Sequence, residues 1–174
     1  MISRLPLFPE GSGVNQSGHL VIGGCDTVDM ATEFGTPVYV YDEDGLRAKC
    51  REFLSEFGGR YADVGVAYSG KAFLNHAMAR LIDEEGLGLD VVSGGELGIA
   101  DAAGFPMDRV YFPGNNKSAA ELEMALDLRV GRIVVDNFHE LEMLGDLTAA
   151  RGQVADVLLR VTPGVDPHTH RHII

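Results

Sequence analysis

Cysteine and basic residues are the scarce elements of this chain. Only Cys25 and Cys50 occur in 174 residues. Two thiols without metal-like spacing point to a reduced, cytoplasmic compartment. Lys and Arg number 14 against 26 Asp and Glu, a formal net charge of −12. A surface of that sign repels phosphate backbones and anionic lipid, which argues against nucleic-acid and membrane partners. No run approaches the ~18–20 apolar residues of a bilayer span. The segment Met1–Pro9 is too short and too proline-broken for a signal peptide. Also missing are the G-x-G-x-x-G and P-loop turns of nucleotide-binding sheets, the G-x-S-x-G nucleophile elbow and the helical metalloprotease motif. What remains is 45% apolar and 23% charged, the composition of one globular domain with a sizeable core.

The positive signal is a repeat. After a polar lead-in from Pro9 to Gly24, short apolar runs begin at Val38, Val64, Leu89, Val110, Ile133 and Val157. Successive starts differ by 26, 25, 21, 23 and 24 residues. Between the runs, apolar residues recur at three- and four-residue spacing. Leu46, Cys50, Phe53, Leu54 and Phe57 make one helix face; Leu74, Met78, Leu81 and Ile82 make another. Ser118-Ala-Ala-Glu121 reads as a capping box, and Asn137 with Glu140 starts a further helix in the same way. Glycines 58, 86, 104 and 152 stand near helix ends.

Continuously apolar strands alternating with helices imply parallel pairing through right-handed crossovers, with both sheet faces covered. An open doubly wound sheet and a (β/α)8 TIM-type barrel both satisfy this; without a nucleotide-binding turn, the barrel is favoured. Six of eight units are visible, so the chain is expected to be the N-terminal portion of a longer polypeptide. Residues 1–34 form the lead-in, with a strand near His19–Ile22 expected to belong to a separate C-terminal β domain. Residues 35–174 form a partial barrel that stops after strand six.

Barrel active sites form where the strands end. Lys71 follows the second run, Asp90 lies in the third, and Ser93-Gly-Gly-Glu96 makes the turn after it. Pro113–Ser118, Asp136-Asn137 and Arg160 follow the next three runs. Each has an ordinary reading: a solvated lysine, helix caps at Asp90 and Asp136, a tight turn at Ser93–Gly95, a structural ion pair at Arg160. A lysine, two carboxylates and an arginine converging on one rim exceed what capping supplies. An amine in a partly dry pocket loses proton affinity and attacks an aldehyde cofactor or a carbonyl substrate. The tract His168-Thr-His-Arg-His172 gives no definite ligand geometry, so no metal site is assigned. His19, His76 and His139 are isolated.

Several ordered segments resemble the N-terminal half of the diaminopimelate decarboxylases. They are Ile22–Gly24, Phe34–Asp42, Ala67-Tyr-Ser-Gly-Lys-Ala72, Leu89-Asp-Val-Val-Ser-Gly-Gly-Glu-Leu97, Gly114-Asn-Asn-Lys-Ser118 and Arg160–His170. The Y-x-x-K-A piece is shared by the wider alanine-racemase-like group, ornithine decarboxylases included. The resemblance implies a (β/α)8 barrel with pyridoxal 5'-phosphate at its mouth, and a β domain. It makes Lys71 the lysine that carries the cofactor, with Ser69, Asp90, Glu96 and Arg160 lining the pocket. The implied reaction is decarboxylation of meso-2,6-diaminopimelate to L-lysine with release of CO2, the electrons being taken up by the cofactor. The resemblance also implies a homodimer whose sites are completed across subunits.

Two departures from the family pattern stand out. Where the family has A-x-K-A-N, this chain has Ser69-Gly-Lys-Ala-Phe73, which leaves the nucleophile but reshapes the wall beside it. The family's ring-stacking histidine, phosphate loop, pyridine-nitrogen partner and substrate-side cysteine and tyrosine belong to later segments. The 174 residues alone are therefore expected to be inactive. Related decarboxylases or racemases acting on ornithine, arginine or a D-amino acid, and a non-catalytic cofactor-binding protein, are the alternatives.

Overall fold

The computed structural model describes residues 5–164. The chain divides into two compact units, Met1–Val64 and Gly65–Ile174.

In the first unit, β1 (Gly13–Val14), β2 (Leu20–Ile22) and β3 (Cys25–Asp26) form an antiparallel meander in that order. The strand expected near His19–Ile22 is present as β2, and its ladder partners among the described residues are β1 and β3. Asp26 is the hub of the meander. It accepts from Asn15 at 2.6 Å, pairs with Nδ1 of His19 at 2.8 Å, and caps α1 (Thr27–Phe34) through the Val28 amide. Burial pushes its proton affinity up, but these hydrogen bonds outweigh it and hold the carboxyl below its ordinary pKa.

The run Val38–Tyr41, expected as the first barrel strand, takes no ladder partner among the described residues and leads straight into α2 (Glu43–Gly58). Apolar β-branched and aromatic residues favour a strand only where another backbone can pair with them. Here Val38, Tyr39, Val40 and Tyr41 are all exposed.

The second unit carries the repeat. Its strands β4 (Ala67–Ser69), β5 (Gly88–Asp90), β6 (Val110–Phe112), β7 (Arg132–Val135) and β8 (Val157–Leu159) form one five-stranded sheet in sequence order. Every pairing is parallel. The crossovers run through α3 (His76–Glu84), α4 (Gly94–Ala103), α5 (Ala119–Asp127) and α6 (Phe138–Arg151). This is the α/β parallel architecture expected of part of a barrel.

The helix ends were legible from sequence. Ser118 and Glu121 form the full reciprocal capping box, and Asn137 accepts from the Glu140 amide. Gly104 and Gly152 close α4 and α6 in the left-handed conformation that a Cβ disfavours.

Apolar continuity in the strands does not mean cover on both faces here. Leu89, Val110, Phe112, Ile133 and Val135 are buried among the core residues, together with Leu81, Ile82, Leu97, Leu122 and Leu144 of the helices. The alternate positions, Ala67, Asp90, Tyr111, Val134 and Leu158, line an open cavity on the other face. Among the described residues, no helix is long and apolar enough to cross a membrane.

Candidate functional site

The carboxyl ends of the five strands share one rim, and the N-termini of α4, α5 and α6 begin just beyond it. β4 ends at Ser69 and turns immediately into a 3-10 segment, Gly70–Ala72, that carries Lys71. Gly70 is buried in that turn. A methyl group on it would lie 3.0 Å from the Asp90 carbonyl oxygen, 3.2 Å from Leu74 Cδ2 and 3.5 Å from Glu96 Oε2. A side chain here would push on the end of β5, so a glycine lets the turn rest this closely. Tyr68 fastens the other side by donating its hydroxyl to the Phe73 carbonyl at 2.9 Å.

Ser69 and Asp90 are direct ladder partners, so the residue before the turn and the end of β5 are in register. Asp90 is half-buried, and burial pushes its pKa above the usual aspartate value. The Lys71 charge pulls it down and the Glu96 charge adds to the rise. The three side chains thus sense one another electrostatically. Lys71 itself is exposed. Glu96 lies in the first turn of α4, where its Oε2 accepts from the Val92 amide at 2.8 Å, while Ser93 caps the helix through the Glu96 amide. The caps of α4 and α6 are Ser93 and Asn137. Asp90 and Asp136 do not cap these helices; Asp136 instead forms the ion pair that is the ordinary reading of Arg160.

Arg160 follows β8. It donates to Asp136 Oδ1 at 3.0 Å, and its backbone amide reaches the Val135 carbonyl. A cavity of about 430 Å³ runs along the inner face, lined by Gly65, Ala67, Asp90, Tyr111, Pro113, Val134, Leu158 and Arg160. Asp90 and Arg160 are its charged members, and the volume falls within the usual range of small-molecule sites. Lys71, Ser69 and Glu96 stand beside the cavity through Asp90 and do not line it. The tract His168–His172 lies outside the described residues.

Two rim residues have partners that their local sequence does not indicate. Lys117, part of the quoted Gly114–Ser118 segment, is buried with Glu140, their charges 2.8 Å apart and each side chain 2% exposed. Glu121 reaches beyond its own capping box and accepts from the Gly94 amide at 2.8 Å, joining the starts of α5 and α4. The missed signal for the charge pairs was the repeat interval. Arg160–Asp136 and Arg132–Asp156 each join residues 24 apart, the spacing of adjacent units.

A parallel α/β sheet whose strand ends carry an amine, carboxylates and an arginine, with an inner-face cavity lined by Asp90 and Arg160, has the layout of a ligand-binding barrel segment. The family "Pyridoxal-dependent decarboxylase, pyridoxal binding domain" matches residues 43–174, and the chain belongs to it. Its cofactor is therefore pyridoxal phosphate. The chain is 54% identical over 159 residues to the diaminopimelate decarboxylase of Bacillus subtilis, covering 91% of this chain and 36% of that protein. To that of Bacillus methanolicus it is 52% identical over 161 residues, covering 92% and 37%. The crystal structure of diaminopimelate decarboxylase from M. jannaschii in co-complex with L-lysine superposes with a TM-score of 0.85 at 31% identity. That match covers 95% of this chain and 39% of the other. The chain thus spans little more than a third of the length of these relatives.

Proposed function

We propose that this chain supplies the lysine-bearing side of the active site of a diaminopimelate decarboxylase, which converts meso-2,6-diaminopimelate to L-lysine and CO2. The observation that carries the reading is Lys71. A tight turn at Gly70 presents its amine at the end of a parallel strand, within electrostatic reach of a half-buried carboxyl. The diaminopimelate decarboxylases among its relatives agree with this reading, as does the lysine held by the M. jannaschii enzyme.

The residues present fit the cofactor. An exposed primary amine is the group that joins an aldehyde. The cavity beside it has small residues, Gly65 before β4 and Ala67 in it, at one edge of the sheet and Arg160, after β8, at the other. Lys71 would hold pyridoxal phosphate, with Ser69, Asp90, Glu96 and Arg160 around it. When bound, the cofactor supplies the electron sink for decarboxylation.

The chain's own groups orient and exchange protons. Asp90 holds its proton more readily than a free aspartate and lies within electrostatic reach of Lys71, a candidate partner for proton exchange with that amine. Glu96 fixes the Val92 amide and adds negative charge that keeps Asp90 basic. Arg160, held by Asp136, offers its guanidinium to an anionic group in the cavity. The active enzyme is a cytoplasmic homodimer, with residues 1–34 serving a β domain and residues 35–174 the barrel.

Borohydride reduction of the full-length protein with pyridoxal 5'-phosphate, followed by peptide mapping, tests the cofactor assignment; a pyridoxyl adduct is expected on Lys71. An adduct elsewhere, or none, removes the proposal. Release of CO2 from meso-diaminopimelate, compared with ornithine, arginine and D-amino acids, tests the substrate.

A further inference from the structure

We infer that the buried Lys117–Glu140 ion pair is a positioning device that sets the arginine side of the cavity. This rests on the reading above, in which Arg160 faces an anionic group of the cofactor.

The ammonium of Lys117 donates to the Gly114 carbonyl at 2.7 Å and the Val134 carbonyl at 2.9 Å, and it is ion-paired with Glu140 Oε1 at 2.8 Å. It also sits over the Phe112 ring, 5.5 Å from the centroid. At 2% exposure, Lys117 has no access to substrate. Its task is to hold neighbours. Gly114 follows Pro113, which lines the cavity, and Val134 lines it directly. On the other side of the pair, Glu140 Oε2 accepts from the Asp136 amide at 3.4 Å, and Asp136 Oδ1 holds Arg160 at 3.0 Å. One chain of contacts therefore runs from the β6–α5 turn, through two buried charges, to the guanidinium at the end of β8.

Stability alone does not account for such a pair. Two apolar side chains of similar volume commonly stabilise a core as well or better. What charges add is direction: this pair fixes two carbonyls and one amide on two separate segments, the β6–α5 turn and the end of β7. Three of the cavity's walls, at Pro113, Val134 and Arg160, depend on those groups.

The test uses the full-length protein and a cycle of variants. Lys117→Met/Glu140→Leu removes both charges and leaves neither unpaired. Arg160→Gln removes the group they are inferred to position. Measured for each are the melting temperature of the apo-protein, the affinity of the apo-protein for pyridoxal 5'-phosphate, and KM and kcat for meso-diaminopimelate.

The pair variant is expected to melt at or above the wild-type temperature, yet bind the cofactor about tenfold more weakly. Combined with Arg160→Gln, it is expected to add no further loss, because both changes disable the same contact. Wild-type affinity in the folded pair variant overturns the inference, as does a loss that adds in full to that of Arg160→Gln. Wild-type affinity in Arg160→Gln itself overturns the assignment of Arg160 and the inference with it. A wild-type protein that takes up no cofactor overturns the functional reading first. If the pair variant does not fold, Glu140→Gln enters the same cycle. It keeps an acceptor for Lys117 but turns an NH2 group toward the Asp136 amide, and the same non-additive loss is required of it.

Discussion

Glu121→Gln isolates how the rim is fastened. The Glu121 carboxylate accepts from three donors: the Ser118 amide at 2.9 Å, the Ser118 hydroxyl at 2.8 Å and the Gly94 amide at 2.8 Å. The first is the carboxylate half of the α5 capping box, the second reinforces it, and the third ties that helix to the start of α4. Losing a cap interaction costs about 1 kcal/mol. A hydrogen bond to a charged group contributes roughly 1.5–3 kcal/mol, toward the low end at a partly exposed site. The substitution is therefore expected to destabilise by about 2 kcal/mol at neutral pH, against the ±0.5 kcal/mol typical of an unengaged surface residue.

The pH dependence gives a second check. The Ser118 backbone and Gly94 hydrogen bonds, then the Ser118 hydroxyl, hold the carboxyl below its ordinary 4.5. Burial opposes them and the Lys117 charge assists. A depressed carboxylate stabilises the fold fully above its unfolded pKa and loses that contribution as pH falls through its folded pKa. The gap between wild type and Glu121→Gln should thus be widest at pH 7 and shrink only below 4.5. Urea unfolding of the full-length polypeptide at pH 7 and about pH 3.5 measures it. A gap under about 0.5 kcal/mol at pH 7, or one unchanged at the acid end, refutes the role assigned to Glu121.

Three further substitutions bear on the site. Asp90→Asn removes a carboxyl whose pKa burial raises; the charge penalty is present above the folded pKa and vanishes below the ordinary 3.8. At pH 7 the variant should melt slightly higher, by less than about 1 kcal/mol of stability after solvent screening, while binding the cofactor more weakly. Equal melting and equal binding would remove Asp90 from the site. Gly70→Ala forces a methyl against the Asp90 carbonyl and should cost about 1–3 kcal/mol. It should also slow borohydride-trappable labelling of Lys71, which peptide mapping reads. Asn137→Ala deletes the cap of α6 and should cost about 1 kcal/mol in chemical unfolding, with labelling at Lys71 unchanged.

The sequence by itself determined the repeating unit and its punctuation. Apolar runs about 24 residues apart, separated by amphipathic stretches, leave parallel strands with helical crossovers as the natural solution. The caps at Ser118 and Asn137 were legible because they are local, each bonding an amide three residues on. Lys71 at a strand end was legible for the same reason. Only the tertiary structure decided what depends on neighbours far along the chain. An apolar run does not state which face is covered, and Val38–Tyr41 has strand composition without a ladder among the described residues. Lys117 reads like any loop lysine until Glu140 is brought to it from α6, and Asp136 reads like a helix cap until Arg160 arrives from the next unit. Hydrogen bonds within a turn are written into adjacent residues. The ion pairs that shape this rim exist only once the sheet has placed one repeat beside the next.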